Sequence, residues 1–201
     1  TRLDHEAEGA AHQGVVAHVA PIRYRTVDDL LSDIAPTWDD VQQRMPLLLL
    51  VDRVTDPRNF GAMLRSAVAA GVDGVIVPAR HMAPLNAAAR KASAGMAHRL
   101  PIARTSSLAT VIEQLKERGY WVCGADGQAP TSFYDVDWNR PIGLVMGGEG
   151  EGLSKAVAEA CDVRASIPMR GPAESLNVAV AAGVLLFEAA RPRMTPQEAH
   201  P

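Results

Sequence analysis

Three segments of this 201-residue chain combine glycine or proline with polar side chains, and each follows an apolar run. The first is Asp52–Gly61 (DRVTDPRNFG), running on to Arg65. Asp56-Pro57 fixes a turn, and Asn59 stands where an N-cap or first-turn residue of a helix would stand, with Arg65 about two turns further on. The second is Leu144–Leu153 (LVMGGEGEGL), with Met146, Gly147, Gly148, Glu149 and Glu151 on one loop. Glycine density after an apolar strand invites a dinucleotide reading, but the G-x-G-x-x-G fingerprint is absent. Two carboxylates beside a helix N-terminus repel the pyrophosphate that normally seeks that position; they suit a ligand bearing positive charge. The third is Ile167–Asn177 (IPMRGPAESLN), which contains Met169, Ser175 and Leu176 and enters an apolar helix. There Ser175 can cap, which leaves Asn177 in the first turn, where an amide among apolar residues is costly unless bonded or useful.

Elements must present these loops on one rim. LLLLVD (47–52), GVIVP (74–78), Leu100–Ala103, YWVCGA (120–125), PIGLVMG (141–147) and VRASIP (163–168) read as strands. Helices are expected over the stretch up to Ala70 with Gly71 as its stop, Leu85–Met96, Leu108–Arg118 stopped by Gly119, Leu153–Ala160 and Ser175–Ala190. Alternating β and α predicts an α/β fold, a parallel-rich sheet with helices on both faces. Ligands of such sheets bind at the carboxyl ends of the strands, where the three loops fall.

The last helix has almost no polar face: Leu176, Val178, Val180, Val184, Leu185, Leu186 and Phe187 are spaced by alanines. A helix apolar all round must be covered all round. The sheet covers one side, and a second subunit is expected on the other, giving a homodimer.

Composition narrows the classes. The chain is 47% hydrophobic and only 4% aromatic, so its core is aliphatic. A net charge of −3 argues against wholesale coating of nucleic acid, which needs a basic stripe, so any such contact is local. Cys123 and Cys161 have neither metal nor disulfide spacing and read as buried thiols of a reducing compartment, and the six histidines show no ligand spacing. No run approaches a membrane span and the N-terminus lacks a signal pattern, so a cytoplasmic protein without metal is expected. Residues 1–43 read as a linker with a short strand at Val15–Ile22 and a short helix at Val27–Ile34 begun by Thr26 or Asp28.

In order and content the three loops resemble the motifs of the SpoU branch of the SPOUT methyltransferases, which methylate ribose 2′-hydroxyls of rRNA and tRNA. DPRNFGAMLRSA is similar to the first motif, LVMGGEGEGL to the second and IPMRGPAESLNVAVAAGVLLFE to the third, and KASAG (91–95) also fits, so that the resemblance spans about residues 47–190. HQGVVA (12–17) resembles the segment that follows a small RNA-binding domain in the large-subunit rRNA guanosine branch. On that basis 1–43 would be the linker after an N-terminal RNA-binding domain not contained here, 44–193 the catalytic domain and 194–201 a tail.

The resemblance implies a C-terminal deep trefoil knot, a bent S-adenosyl-L-methionine as cofactor, and methylation of a guanosine in 23S rRNA. Alternatives are a tRNA substrate, or a non-catalytic RNA-binding or ribosome-assembly protein on the same fold. It assigns cofactor binding to Met146, Gly147, Gly148, Ile167, Met169, Ser175 and Leu176. It points to Arg65 as the group at the 2′-hydroxyl or adjacent phosphate, Glu149 orienting that Arg or the nucleotide, and Asn59 and Asn177 holding loop geometry and substrate. An Arg pKa above ~12 makes Arg65 better suited to orienting and charge stabilisation than to acting as base.

Overall fold

The computed structural model describes residues 23–194 and, before them, Leu3, His5, Gly14 and Val15. The strand expected at Val15–Ile22 and residues 195–201 of the expected tail lie outside the described residues, Val15 apart. Seven strands are present among the described residues: β1 (Leu47–Val51), β2 (Gly74–Pro78), β3 (Ile102–Thr105), β4 (Trp121–Ala125), β5 (Thr131–Ser132), β6 (Ile142–Met146) and β7 (Val163–Ser166). They form one sheet in the order β3-β2-β1-β6-β4-β7-β5, and every pairing is parallel.

The apolar run of β1 is buried on both sides. Leu47, Leu49 and Val51 belong to one core and Leu48 and Leu50 to the other, the alternation a pleated strand imposes. Each fully buried leucine contributes about 1.5–3 kcal/mol relative to exposure, so this one strand anchors both layers. The first core is completed by α3 (Pro57–Ala69), a 3-10 turn at Met96–Arg99 and α7 (Val178–Ala190), with the short α4 (Ala87–Ala92) packed on α3. The second is completed by α1 (Val27–Ile34), α2 (Trp38–Arg44), α5 (Leu108–Glu117) and α6 (Lys155–Ala160). Helices therefore cover both faces, as the alternating pattern implies.

Gly71 and Gly119 end α3 and α5 at φ of 73° and 90°, the left-handed turn expected of a glycine stop. Other boundaries differ from expectation. The segment expected as linker up to residue 43 packs into the fold from Arg25 onward: Arg25 bridges to Ala103, α1 buries Leu30 and Leu31, and α2 buries Val41. Thr26 caps α1, and Thr37 with Asp40 forms a capping box for α2. The helix expected at Leu85–Met96 is shorter because Asn86 caps it and it gives way to the 3-10 turn. Strand β3 lies two residues later than Leu100–Ala103, and β5 was not anticipated.

Because all strands are parallel, their carboxyl ends share one rim. β6 lies between β1 and β4, so the chain's outward progress from β1 to β3 reverses there, the place where open α/β sheets bind ligands.

Candidate active site

Three loops meet at that rim through side chains rather than through strand pairing. Asp56 is the N-cap of α3, accepting from the Arg58 N–H at 2.8 Å, with Pro57 at the first helical position. Asn59 is thus the third helical residue and not the cap, and its amide is left to reach outward. Its Nδ2 donates to the Glu149 carboxylate, and its Oδ1 accepts from Asn177 Nδ2 at 3.0 Å. Asn177, not Ser175, caps α7: its Oδ1 accepts from the N–H groups of Ala179 and Val180 at 2.9 and 3.3 Å. Ser175 stays exposed two residues upstream, because the backbone turns helical only after Asn177. The amide that looked costly within a first turn is satisfied at both ends.

The second loop is a tight hairpin. Gly148 and Gly152 exchange backbone hydrogen bonds of 3.1 Å each. A Cβ on Gly147 would sit 2.5 Å from the Gly152 carbonyl oxygen, and one on Gly148 2.5 Å from that of Arg53, so both positions require glycine for close backbone approach. The loop is clamped to the first one. Arg53 Nη1 donates to Glu151 at 2.8 Å, and the buried Asp52 carboxylate accepts from the Ser154 N–H at 2.7 Å, where α6 starts without a side-chain cap of its own.

Between the loops lies a cavity of about 620 Å³, within the roughly 300–1,000 Å³ usual for small-molecule sites. Met146, Gly147, Gly148, Ile167, Met169, Ser175 and Leu176, all expected at a cofactor, line it together, with Glu149 and Asn177 at the same wall. Glu151 and Glu174 add negative charge, and Leu185 of α7 adds apolar floor. A cationic ligand with an apolar or aromatic part fits this lining; a polyphosphate does not.

Arg65 is not drawn in. It is exposed two turns into α3, lines no part of this cavity and has no polar partner among the described residues. Glu149, expected to orient Arg65 or the nucleotide, is bonded to Asn59 instead. A fourth segment was missed: Ala125 at the end of β4 and the turn 126–128 after it also line the cavity. Asp126 there pairs with Arg164 at 2.9 Å and accepts from the Gln128 N–H at 2.9 Å. The signal was present in GADGQ (124–128), a glycine–acid turn at a strand's carboxyl end. Burial pushes the thiols of Cys123 and Cys161 up to about 12; Cys123 is buried as expected, whereas Cys161 is half-buried.

Fold and site together define an open, all-parallel α/β protein whose ligand crevice lies at its central carboxyl rim, closed by three mutually bonded loops. Comparison with known proteins then narrows the class. Residues 46–187 match the model of the SpoU rRNA Methylase family, and the chain belongs to that family. It is 47% identical over 191 residues to the 23S rRNA (guanosine-2′-O-)-methyltransferase RlmB of Photorhabdus laumondii subsp. laumondii, covering 95% of this chain and 76% of that protein. It is 45% identical over 191 residues to the protein of the same name from Escherichia coli (strain K12), with the same coverage. Among solved structures, the SpoU methyltransferase AviRb of Streptomyces viridochromogenes in complex with the cofactor AdoMet superposes with a TM-score of 0.69 at 35% identity, covering 79% of this chain and 65% of that one. The AdoMet-bound rRNA methyltransferase of Sinorhizobium meliloti gives 0.73 at 32%, covering 86% and 62%. The chain therefore spans slightly less than two thirds of these two solved chains.

Proposed function

We propose that this protein is an S-adenosyl-L-methionine-dependent methyltransferase acting on a ribose 2′-hydroxyl of RNA, a guanosine of 23S rRNA. The observation that carries the reading is the Glu149–Asn59–Asn177 chain of hydrogen bonds, which joins all three motif loops at the edge of the cavity. A pure RNA-binding protein has no use for a closed, acid-rimmed crevice beside its contact surface. The high identity to proteins named as 23S rRNA guanosine methyltransferases favours that substrate over tRNA.

The cavity fits the cofactor by its own chemistry. Ile167, Leu176 and Leu185 offer apolar contact to an adenine, the close-packed backbone at Gly147 and Gly148 offers hydrogen bonds without side-chain bulk, and Glu149, Glu151 and Glu174 suit positive charge. When bound, this group supplies an electrophilic methyl. The chain's residues do the rest. Met146, Gly147, Gly148, Ile167, Met169, Ser175 and Leu176 hold and bend the ligand. Asn59 and Asn177 fix the loop geometry at its edge. Glu149 keeps the Asn59 amide oriented, and Arg65 orients the 2′-hydroxyl or stabilises the adjacent phosphate. Positioning of this kind supplies much of the acceleration for a poor nucleophile.

The protein acts as a homodimer in this reading. On α7 the residues Val180, Val184 and Phe187, spaced four and three apart, are 53%, 38% and 47% exposed, an apolar stripe beside the cofactor cavity. Arg65, without a polar partner among the described residues, would then serve the cavity of the other subunit. The C-terminal knot is implied by family resemblance; in the sheet, β6 and β7 each lie between two strands that precede them in the chain. Titration calorimetry with S-adenosyl-L-methionine and with NAD, followed by mapping of ribose methylation in 23S rRNA from cells with and without the gene, tests the reading. Binding of the first ligand alone and loss of one guanosine 2′-O-methyl are expected; failure to bind it overturns the assignment.

A further inference from the structure

Charge is divided unevenly along the chain. Residues 27–44 hold five aspartates against Arg44, whereas residues 57–100 hold Arg58, Arg65, Arg80, Arg90, Lys91 and Arg99 against Asp73 alone. That one carboxylate lies at the opposite rim, just before β2, where it accepts from the Leu47 N–H at 2.8 Å. A net charge of −3 thus conceals a strongly cationic layer.

The cations of that layer are also without ion pairs among the described residues. Elsewhere Arg44 pairs with Asp40, Lys116 with Glu113 and Asp162, Arg118 with Asp28, and Arg140 with Asp137. None of the six has a carboxylate within 4.0 Å among the described residues. Arg90 goes further, since its Nε is shut off from solvent with no hydrogen-bond partner.

Packing brings them together. Arg58, Gly61 and Arg65 are three and four residues apart, hence on one stripe of α3. α4 crosses that stripe at Gly61, where an added Cβ would meet the Ala89 carbonyl and lie 2.8 Å from the Ala92 Cβ. Arg90 and Lys91 lie on the same turn of α4, flanking that crossing, and Arg99 ends the 3-10 turn that packs on α3. The loop between β2 and α4 is tied to the first active-site loop by the Ala83 N–H, which donates to the Val54 carbonyl at 2.8 Å, and it carries Arg80 to the same rim. The seam ends beside Asn59.

We infer that the α3–α4 seam, through Arg80, Arg90, Lys91 and Arg99, is the track that grips the RNA backbone flanking the target ribose. This rests on the RNA reading above. Guanidinium and ammonium groups without an ion pair among the described residues, in a stretch where cations outnumber carboxylates, fit a run of phosphates, which such groups bind by releasing counterions, and the track leads from the solvent face to the cofactor cavity's edge.

The test compares Arg90→Ala/Lys91→Ala/Arg99→Ala with Arg44→Ala/Arg118→Ala/Lys155→Ala, an equal charge loss outside the seam. Binding of a fluorescein-labelled single-stranded RNA from 23S rRNA is followed across a salt series, and S-adenosyl-L-methionine binding by calorimetry. The seam variant is expected to weaken RNA binding at least about tenfold near 0.1 M salt and to flatten the log K against log salt slope by about 2, three phosphate contacts at ~0.7 each. Cofactor affinity should remain within about twofold, and the control should change neither. An unchanged slope, or equal loss in the control, overturns the track. If the native protein binds no cofactor, the functional reading itself has failed. Should the triple variant melt early, the single change Lys91→Glu at an exposed position carries the same comparison, with a several-fold loss expected and no loss decisive against it.

Discussion

Asn177 donates from Nδ2 to Oδ1 of Asn59 at 3.0 Å, across 118 positions of sequence, while its own Oδ1 caps the final helix. One side chain thereby couples the start of α7 to the start of α3, and Asn59 passes the coupling to Glu149. Asn59→Asp replaces the donor facing Glu149 with a second carboxylate. Methyl transfer is expected to fall about 100-fold or more, the scale of a misplaced positioning group, with cofactor affinity changed far less. Single-turnover kinetics beside calorimetry separates the two; undiminished transfer means the amide chain is not part of the site.

Gly147→Ala probes the second loop. The new methyl would lie 2.5 Å from both the Gly152 oxygen and the Leu153 nitrogen, which are backbone atoms held by the Gly148–Gly152 hydrogen-bond pair and cannot yield cheaply. The hairpin must open, and S-adenosyl-L-methionine affinity should drop by more than about tenfold, with a stability loss of about 1–3 kcal/mol as for other overpacked positions. Calorimetry and denaturant unfolding read both quantities. Full retention of binding would show that the hairpin is not the cofactor wall.

How much of this was legible in sequence follows from where the signal is local. The strand of Leu47–Val51 could be read because burial on both faces leaves an unbroken apolar run. The glycine stops at Gly71 and Gly119 could be read because only a left-handed turn explains them. The cap of α7 could not be settled locally: Ser175 and Asn177 both suit an N-cap, and the choice is made by Asn59, far away in sequence. Likewise α2 lies in the stretch that reads as linker, where no apolar periodicity draws attention to the capping box at Thr37 and Asp40. The Ala125–Gln128 wall carries the same kind of signal as the three loops, but its short glycine–acid turn has the composition of an ordinary turn between elements.

Arg193 closes the described chain in a way its sequence position does not suggest. Its guanidinium donates to the carbonyls of Met45 at 3.0 Å and Trp138 at 2.9 Å, and also to those of Ala189 and Arg140. Arg193→Ala leaves four part-buried acceptors without this partner. At about 1–3 kcal/mol for each acceptor that water cannot reach, a loss of about 2–4 kcal/mol is expected in urea unfolding, because water reaches some of them. Arg193→Lys should rescue little, since a point charge cannot fork to four carbonyls. A loss under about 0.5 kcal/mol would show these bonds to be dispensable.

The two thiols give stability an alkaline dependence. A free thiol ionises near 9.0, whereas burial holds Cys123 and Cys161 near 12 in the folded chain. Between those values the unfolded chain binds fewer protons than the folded one, so stability falls as pH rises from about 9 towards 12 and is unaffected below. The melting temperature should decline more steeply over pH 9–11 in the native protein than in Cys123→Ala/Cys161→Ala. Parallel curves would show that the thiols are not held protonated. At pH 8 the folded protein should resist iodoacetamide until it is denatured, for want of thiolate.

The exposed stripe of α7 and the isolation of Arg65 make one joint prediction. Phe187→Glu puts a charge on the largest side chain of the stripe and should convert a dimer to a monomer by light scattering; an unchanged mass removes the dimer proposal. If the dimer stands, Arg65 of one subunit can serve the cavity of the other. Arg65→Ala and Gly147→Ala homodimers should each be inactive, the first through its RNA-facing group and the second through its cofactor wall. After unfolding and refolding together, half of the dimers are mixed, and in each of these one site combines an intact Arg65 with an intact cavity. Activity should therefore return to about a quarter of the native level, as the symmetry of a two-fold assembly requires. Both parents inactive and no recovery in mixtures shown by mass to contain heterodimers would place Arg65 with its own chain's cavity, reached by a movement of α3 rather than across an interface.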